Sequence, residues 1–263
     1  MMNLDPMTIA EAAKLLRDAQ ASGQPIAPLR ETFPGLDADA AYAIQKCNTD
    51  LKLKAGARVI GAKIGLTSPA VQKQLGVDTP DYGVLFDDMG YVEGLPIPLA
   101  NLQQPKVEAE VAFVLSRDLD LPNPTIVDVI GAIDYALPAL EIVGSRIANW
   151  NIRLVDTVAD NASSSAWVVG ASPKKLGELD LRACAMTLDR DGEVVSTGTG
   201  AACLGHPLNA VLWLARTMAR VGAPLKAGQL VLSGALGPMV PVEAGKTYTA
   251  HIDGLGSVTA VFE

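Results

Sequence analysis

Two glutamates stand two residues apart inside an otherwise apolar run, Val107-Glu108-Ala109-Glu110-Val111-Ala112-Phe113-Val114-Leu115, and little else in the chain is as restrictive. Valines with an aromatic, entered through Gln104-Pro105-Lys106, predict a β-strand beyond Lys106. Side chains alternate across a strand, so Glu108 and Glu110 share one face while Val107, Ala109 and Val111 take the other. A carboxylate pair beside sequence suited to burial has three stable outcomes. It faces water, it shares a proton, or it holds a cation. The bland outcome, a solvated strand face, is the usual one for an arbitrary pair, because carboxylates are mostly exposed.

A third glutamate shifts that balance. Glu141 is the only charge between Asp134 and Arg146, within Tyr135-Ala136-Leu137-Pro138-Ala139-Leu140-Glu141-Ile142-Val143. Three glutamates in apolar strand sequence suit an oxygen-only site for a hard divalent cation such as Mg²⁺ or Mn²⁺. Upstream, Lys63 is the one charge in Val59-Ile60-Gly61-Ala62-Lys63-Ile64-Gly65-Leu66-Thr67, flanked by glycines that let a ligand or backbone come close. It either snorkels to the surface or points into a pocket, where desolvation would fit it for proton transfer. Asp78 and Asp81, in Val77-Asp78-Thr79-Pro80-Asp81-Tyr82-Gly83, are either turn residues or an acid partner for Lys63. The stretch from Asp156 to Ser165 reads as a polar loop, either turn chemistry or a holder for a substrate carboxylate.

With 21 basic against 29 acidic residues the net charge is −8, which argues against nucleic acid or an anionic membrane as partner. No basic leader precedes a long apolar run and no window suits a membrane span. Cys47, Cys184 and Cys203 are widely spaced, without a C-x-x-C pair, which fits a reduced, cytoplasmic protein.

Residues 1–57 read as a helical segment with a packing role, and residues 58–263 as the β-rich, metal-binding domain. Thr8 with Glu11 is expected to cap the first helix, ending near Gly23, and Asp37 the second, ending at Gly56. Ser68-Pro69 predicts a further helix to Gly76, and Thr125 a short one ending near Gly131. Asp191-Gly192 marks a hairpin, as does Asp253-Gly254, and His206-Pro207 opens a helix closing at Gly222. His206 and His251 lie 45 positions apart and away from the glutamate strands, so both are read as structural. Neither a dinucleotide or nucleotide motif nor a G-x-S-x-G elbow is present.

The segments Lys63-Ile64-Gly65-Leu66-Thr67, Gln104 to Glu110, Leu137 to Glu141, Asp160-Asn161-Ala162-Ser163, Gly205-His206-Pro207-Leu208 and Gly234 to Met239 occur in an order that closely resembles the 2-keto-4-pentenoate (2-hydroxypenta-2,4-dienoate) hydratases. These form part of the hydratase/decarboxylase branch of the fumarylacetoacetate hydrolase superfamily. The resemblance spans nearly the whole chain. It implies an α+β fold with a mixed β-roll core, a multimeric enzyme of meta-cleavage aromatic catabolism, and a divalent metal, Mg²⁺ or Mn²⁺, without an organic cofactor. It puts the metal ligands on Glu108, Glu110 and Glu141, the proton carriers on Lys63 and Asp81, and substrate contacts on Leu66, Asp160, Ser163 and Gly234. The expected partner is a small 2-oxo or 2-hydroxy acid, with a homo-oligomer and association with sister pathway enzymes also implied. The sister activity, 4-oxalocrotonate decarboxylase, is the alternative, with a non-catalytic subunit of one as a third. The resemblance favours the hydratase, because the decarboxylases carry an apolar residue at the place of Asp81 and lack the Gly234–Met239 form of the loop.

Overall fold

A computed structural model describes residues 5–68, 72 and 77–263. Helix α1 spans Pro6–Ser22. It starts three residues before the place expected from Thr8, because the Asp5 carboxylate accepts from the amides of Met7 (2.9 Å) and Thr8 (3.1 Å) while Pro6 occupies the first turn. Thr8 instead donates its hydroxyl to Asp5. Gly23, in the left-handed region at φ 70°, ends the helix. A short α2, Leu29–Thr32, leads to α3, Ala38–Lys54, capped by Asp37 as expected. The helix predicted from Ser68 to Gly76 falls largely outside the described residues.

These helices bury Ala12, Leu16, Leu29, Ala41 and Ile44 against Val158 and Ala159 of the body of the molecule. Burying side chains of this kind contributes about 1.5–3 kcal/mol for each large one. The Arg30 guanidinium pairs with the fully buried Asp156, and Arg30's amide donates to the same carboxylate.

Among the described residues, thirteen strands form two sheets. The larger runs β2 (Asp81–Phe86), β1 (Val59–Gly65), β10 (Leu230–Ala235), β5 (Lys106–Leu115), β6 (Ile133–Val143), β7 (Ser164–Val169) and β3 (Gly90–Tyr91), with β11 (Val240–Pro241) also on β5. β1 with β10 and β3 with β7 are parallel, and the other pairs antiparallel. The smaller sheet runs β4 (Pro96–Ile97), β13 (Gly256–Phe262), β12 (Thr247–Ile252), β8 (Ala185–Arg190) and β9 (Glu193–Thr199). Both predicted hairpins, at Asp191-Gly192 and Asp253-Gly254, are in it. This mixture of curled sheets and helices is an α+β architecture.

Alternation on β5 decides how the sheets meet. Val107, Ala109, Val111 and Phe113 join Leu188, Tyr248, Val258 and Phe262 of the smaller sheet in the main core, which also receives Leu208, Val211 and Leu214 of the Pro207–Arg220 helix. The opposite face carries the glutamates at one end. At its other end Ala112, Leu137, Leu230 and Leu232 make a separate apolar cluster with Leu85. The stretch read as a polar loop from Asp156 is helical over Leu154–Ala159, and only Asp160–Ser163 remain as a turn before β7.

Candidate active site

The register of β5 and β6 puts Glu108 directly opposite Glu141, with Glu110 one step along the same face. Like charges directly opposed across a sheet repel. One carboxylate oxygen from each of the three lies within 4.8 Å of the others. Glu110 and Glu141 are fully buried, while Glu108 is half-buried.

Lys63, 3% exposed, resolves the choice between surface and pocket: it lies on β1 with its Nζ 3.2 Å from Glu141 Oε2. Asp81 pairs in register with Gly65. A Cβ built on Gly65 would fall 2.2 Å from Asp81 Oδ1 and 3.2 Å from Lys63 Nζ. The glycine therefore leaves the space into which both side chains reach. Gly234, at φ +102°, holds a backbone conformation that favours glycine, and its amide donates to Glu110 Oε2 at 2.8 Å. Leu66 follows β1 at φ 57°, its carbonyl accepting from the Gln72 side chain at 2.7 Å.

Ser163 and Asp160 have other partners. The Ser163 hydroxyl is 3.0 Å from that of Thr157. Asp160 accepts from the Arg146 amide at 2.9 Å and from Arg146 Nε at 2.5 Å. Asn161, Ala162 and Ser163 are three successive non-glycine residues at positive φ, each costing about 1–2 kcal/mol in a left-handed turn. The turn presses on β2, where a Cβ on Gly83 would meet the Asn161 carbonyl at 2.4 Å.

The electrostatics follow from burial and crowding. Burial, reinforced by Glu141, pushes Glu108 from the ordinary 4.5 up to about 7. Burial and the same neighbours raise Glu110 well above its usual range. Asp81 is pushed up to about 6 by burial, with Lys63 pulling the other way. Burial opposes the charge on Lys63, yet Glu141, Asp81, Glu108 and Glu110 together raise it above its ordinary value. Glu110 Oε1, both Glu141 carboxylate oxygens and Asp81 Oδ1 are buried without a hydrogen-bond partner. Three clustered glutamates that repel one another, two of them with buried unpartnered oxygens, fit a divalent cation held by oxygen.

Neither Arg146 nor Gln45 belongs to a motif in the sequence that marks it for a role. The Gln45 amide donates to Tyr82 O (2.9 Å) and Val158 O (3.1 Å), tying the strand of Asp81 to the helix before the Ser163 turn. Its signal was a polar residue on the apolar side of an amphipathic helix. Arg146 had only its isolation among apolar residues. A cavity of about 590 Å³ lies behind that turn, between α1 and α3, and is lined by Arg17, Asn48, Arg146, Asp160 and Ser165. None of the glutamates lines it. His206 caps a helix, its Nδ1 accepting from Leu208 at 3.1 Å, and His251 is an exposed strand residue beside Asp189.

Residues 62–263 match the fumarylacetoacetate (FAA) hydrolase C-terminal family, and the chain belongs to that family. It is 62% identical over 258 residues to the 2-keto-4-pentenoate hydratase of Burkholderia vietnamiensis, covering 98% of each chain. Its identity to the 2-keto-4-pentenoate hydratase of Paraburkholderia xenovorans is 60% over 260 residues, with 99% and 97% covered. Among solved structures, 4-oxalocrotonate decarboxylase from Pseudomonas putida G7, complexed with magnesium and adipate, superposes at a TM-score of 0.95 with 36% identity, covering 99% of both chains.

Proposed function

We propose that the chain is a metal-dependent hydro-lyase that adds water to 2-hydroxypenta-2,4-dienoate (2-keto-4-pentenoate) and yields 4-hydroxy-2-oxopentanoate in aromatic catabolism. The observation that carries this reading is the near-full-length identity of about 60% to hydratases, against 36% to the decarboxylase. The buried Asp81 beside Lys63 supports it, because hydration needs a group to handle water and loss of carbon dioxide does not.

Glu108, Glu110 and Glu141 would hold a divalent cation, Mg²⁺ or Mn²⁺, a reading supported by their clustering and by the unpartnered oxygens of Glu110 and Glu141. When bound, the cation supplies Lewis-acid stabilisation of negative charge on the oxygens of a 2-oxo acid. The protein's own residues do the rest. Ketonisation of the dienol moves a proton from the 2-hydroxyl to carbon, and the resulting enone takes water at its far alkene carbon. Lys63 and Asp81 carry these protons, in a space that Gly65 leaves open. The turn Asp160–Ser163 braces the substrate carboxylate through Ser163, with Asp160 acting by way of Arg146, and Leu66 and Gly234 line the approach. Residues 1–57 brace the site from outside through Gln45. The enzyme works in the cytoplasm as a homo-oligomer.

One assay tests the reaction. Purified protein with Mg²⁺ is given 2-hydroxypentadienoate and, separately, 4-oxalocrotonate. Loss of diene absorbance with the first and no carbon dioxide from the second is expected. Carbon dioxide release without hydration would assign the chain to the sister activity.

A further inference from the structure

The carboxylate cluster has an open end. Along one face of β5, Glu110 is fully buried while Glu108 and Lys106 are half-buried. Alternation puts the Lys106 side chain on the same face as the glutamates, one step beyond Glu108 and about 7 Å along the strand. Its Nζ lies 4.4 Å from the centroid of the Trp150 ring, and it makes no ion pair among the described residues. The site's other lysine, Lys63, already faces Glu141.

The ring is itself held in place. Trp150 Nε1 donates to the Gln104 carbonyl at 2.9 Å, and the Asn149 amide donates to Gln104 Oε1 at 2.8 Å. The Gln104 side-chain amide donates at 2.8 Å to the carbonyls of both Ser145 and Ile147. Gln104, Asn149 and Trp150 all sit at positive φ, at 48°, 57° and 54°. Strain of this kind persists where the surroundings over-determine it, and it concentrates at functional sites. Lys106 is thus a cation with no ion pair among the described residues, braced on an aromatic face beside a cluster of acids that any anionic substrate must approach. Three glutamates and Asp81 repel a carboxylate, in a chain whose net charge is −8.

We propose that Lys106, braced by Trp150, is the entry residue that receives the carboxylate of the incoming small organic acid. This inference rests on the hydratase reading for the identity of the acid, but not for the direction of binding. A fixed cation at the mouth of a cleft raises the capture rate of an anion by about 10–10³-fold, with a strong dependence on salt. Capture precedes chemistry, so the effect belongs in kcat/KM and not in kcat.

The test uses two measurements on the full chain, with melting temperatures as a control for folding. First, the Mg²⁺-loaded protein is titrated calorimetrically with 2-oxopentanoate, a saturated acid that cannot be hydrated. Lys106→Gln is expected to bind it about tenfold more weakly than the parent at low salt, and Lys106→Arg to recover most of the loss. Equal binding by the parent and Lys106→Gln would overturn the proposal whether or not the chain is a hydratase. Second, hydration by the parent is followed against salt, where kcat/KM should fall steeply while kcat stays level. This parent measurement stands even if the variants fail to fold, and a kcat/KM indifferent to salt would overturn the proposal. If the parent binds 2-oxopentanoate through Lys106 yet never hydrates the dienoate, the hydratase reading falls and the entry residue remains.

Discussion

Two buried cation–carboxylate groups lie close together in this molecule, and they are built in opposite ways. At Arg146 and Asp160 the needs of both partners are met. Asp160 accepts from the Arg146 amide and Nε, while Arg146 also reaches the Asp160 carbonyl (2.9 Å) and Ser165 Oγ (3.0 Å). At Lys63 the acids outnumber the base. One ammonium stands 3.2 Å from Glu141, and four buried oxygens on Glu110, Glu141 and Asp81 have no hydrogen-bond partner. Burial pushes up the carboxyls in both places, Asp160 included, so burial alone does not separate them. What separates them is hydrogen-bond satisfaction. The matched group is accounted for by the fold alone, whereas several unmatched carboxylate oxygens crowded together out of water fit a cation.

The largest effect expected from breaking the second group is on the reaction. Asp81→Asn keeps size and shape but cannot take a proton from water. Hydration should fall by about 10²–10⁴-fold, the usual contribution of a general base. Deuterium uptake at the substrate's C3 in heavy water should persist, carried by Lys63. Hydration by the variant at the parent rate would move the role away from Asp81.

A smaller effect is expected where the two groups meet, at the turn. Ser163→Ala removes one hydroxyl that now rests on Thr157. As a contact to the substrate carboxylate, made equally in ground and transition states, its loss should raise KM about tenfold and leave kcat nearly unchanged. Initial-rate kinetics check this, and a pure kcat loss would put Ser163 at the reacting centre.

The smallest effect is on stability against pH in the metal-free protein. Glu108 is raised from 4.5 to about 7 on folding, so its contribution is fully present below about pH 4.5 and is lost as the pH rises toward 7. Glu108→Gln lacks this dependence. The difference in Tm, parent minus variant, should therefore decline by a few degrees across that window, and a flat or rising difference would reverse the assigned shift.

Much of the second group was legible in the chain because strand chemistry is periodic. Alternation alone put Glu108 and Glu110 on one face, and the apolar setting of Glu141 marked it as their partner. Lys63 stood out in the same way, although only the register with β2 shows that it reaches over Gly65 toward Asp81. The first group was not legible. Arg146 and Asp160 are 14 residues apart, and no local pattern announces their pairing. The left-handed turn at Asn161–Ser163 is built without glycine, so the usual mark of positive φ is missing. Asp5 and Thr8 compete as caps with similar chemistry, and Pro6 decides between them.

The comparison itself is tested most directly by titrating two purified, metal-free variants with Mg²⁺ in a calorimeter and recording their Tm before metal is added. Glu110→Gln breaks the unmatched group, and Asp160→Asn breaks the matched one. Glu110→Gln should lose most of its Mg²⁺ affinity while keeping or raising the metal-free Tm, because a buried and repelled acid has been removed. Asp160→Asn should keep its Mg²⁺ affinity and lose about 3–5 kcal/mol of stability, the usual result of stranding one partner of a buried pair. Undiminished Mg²⁺ binding by Glu110→Gln, together with weakened binding by Asp160→Asn, would contradict the account.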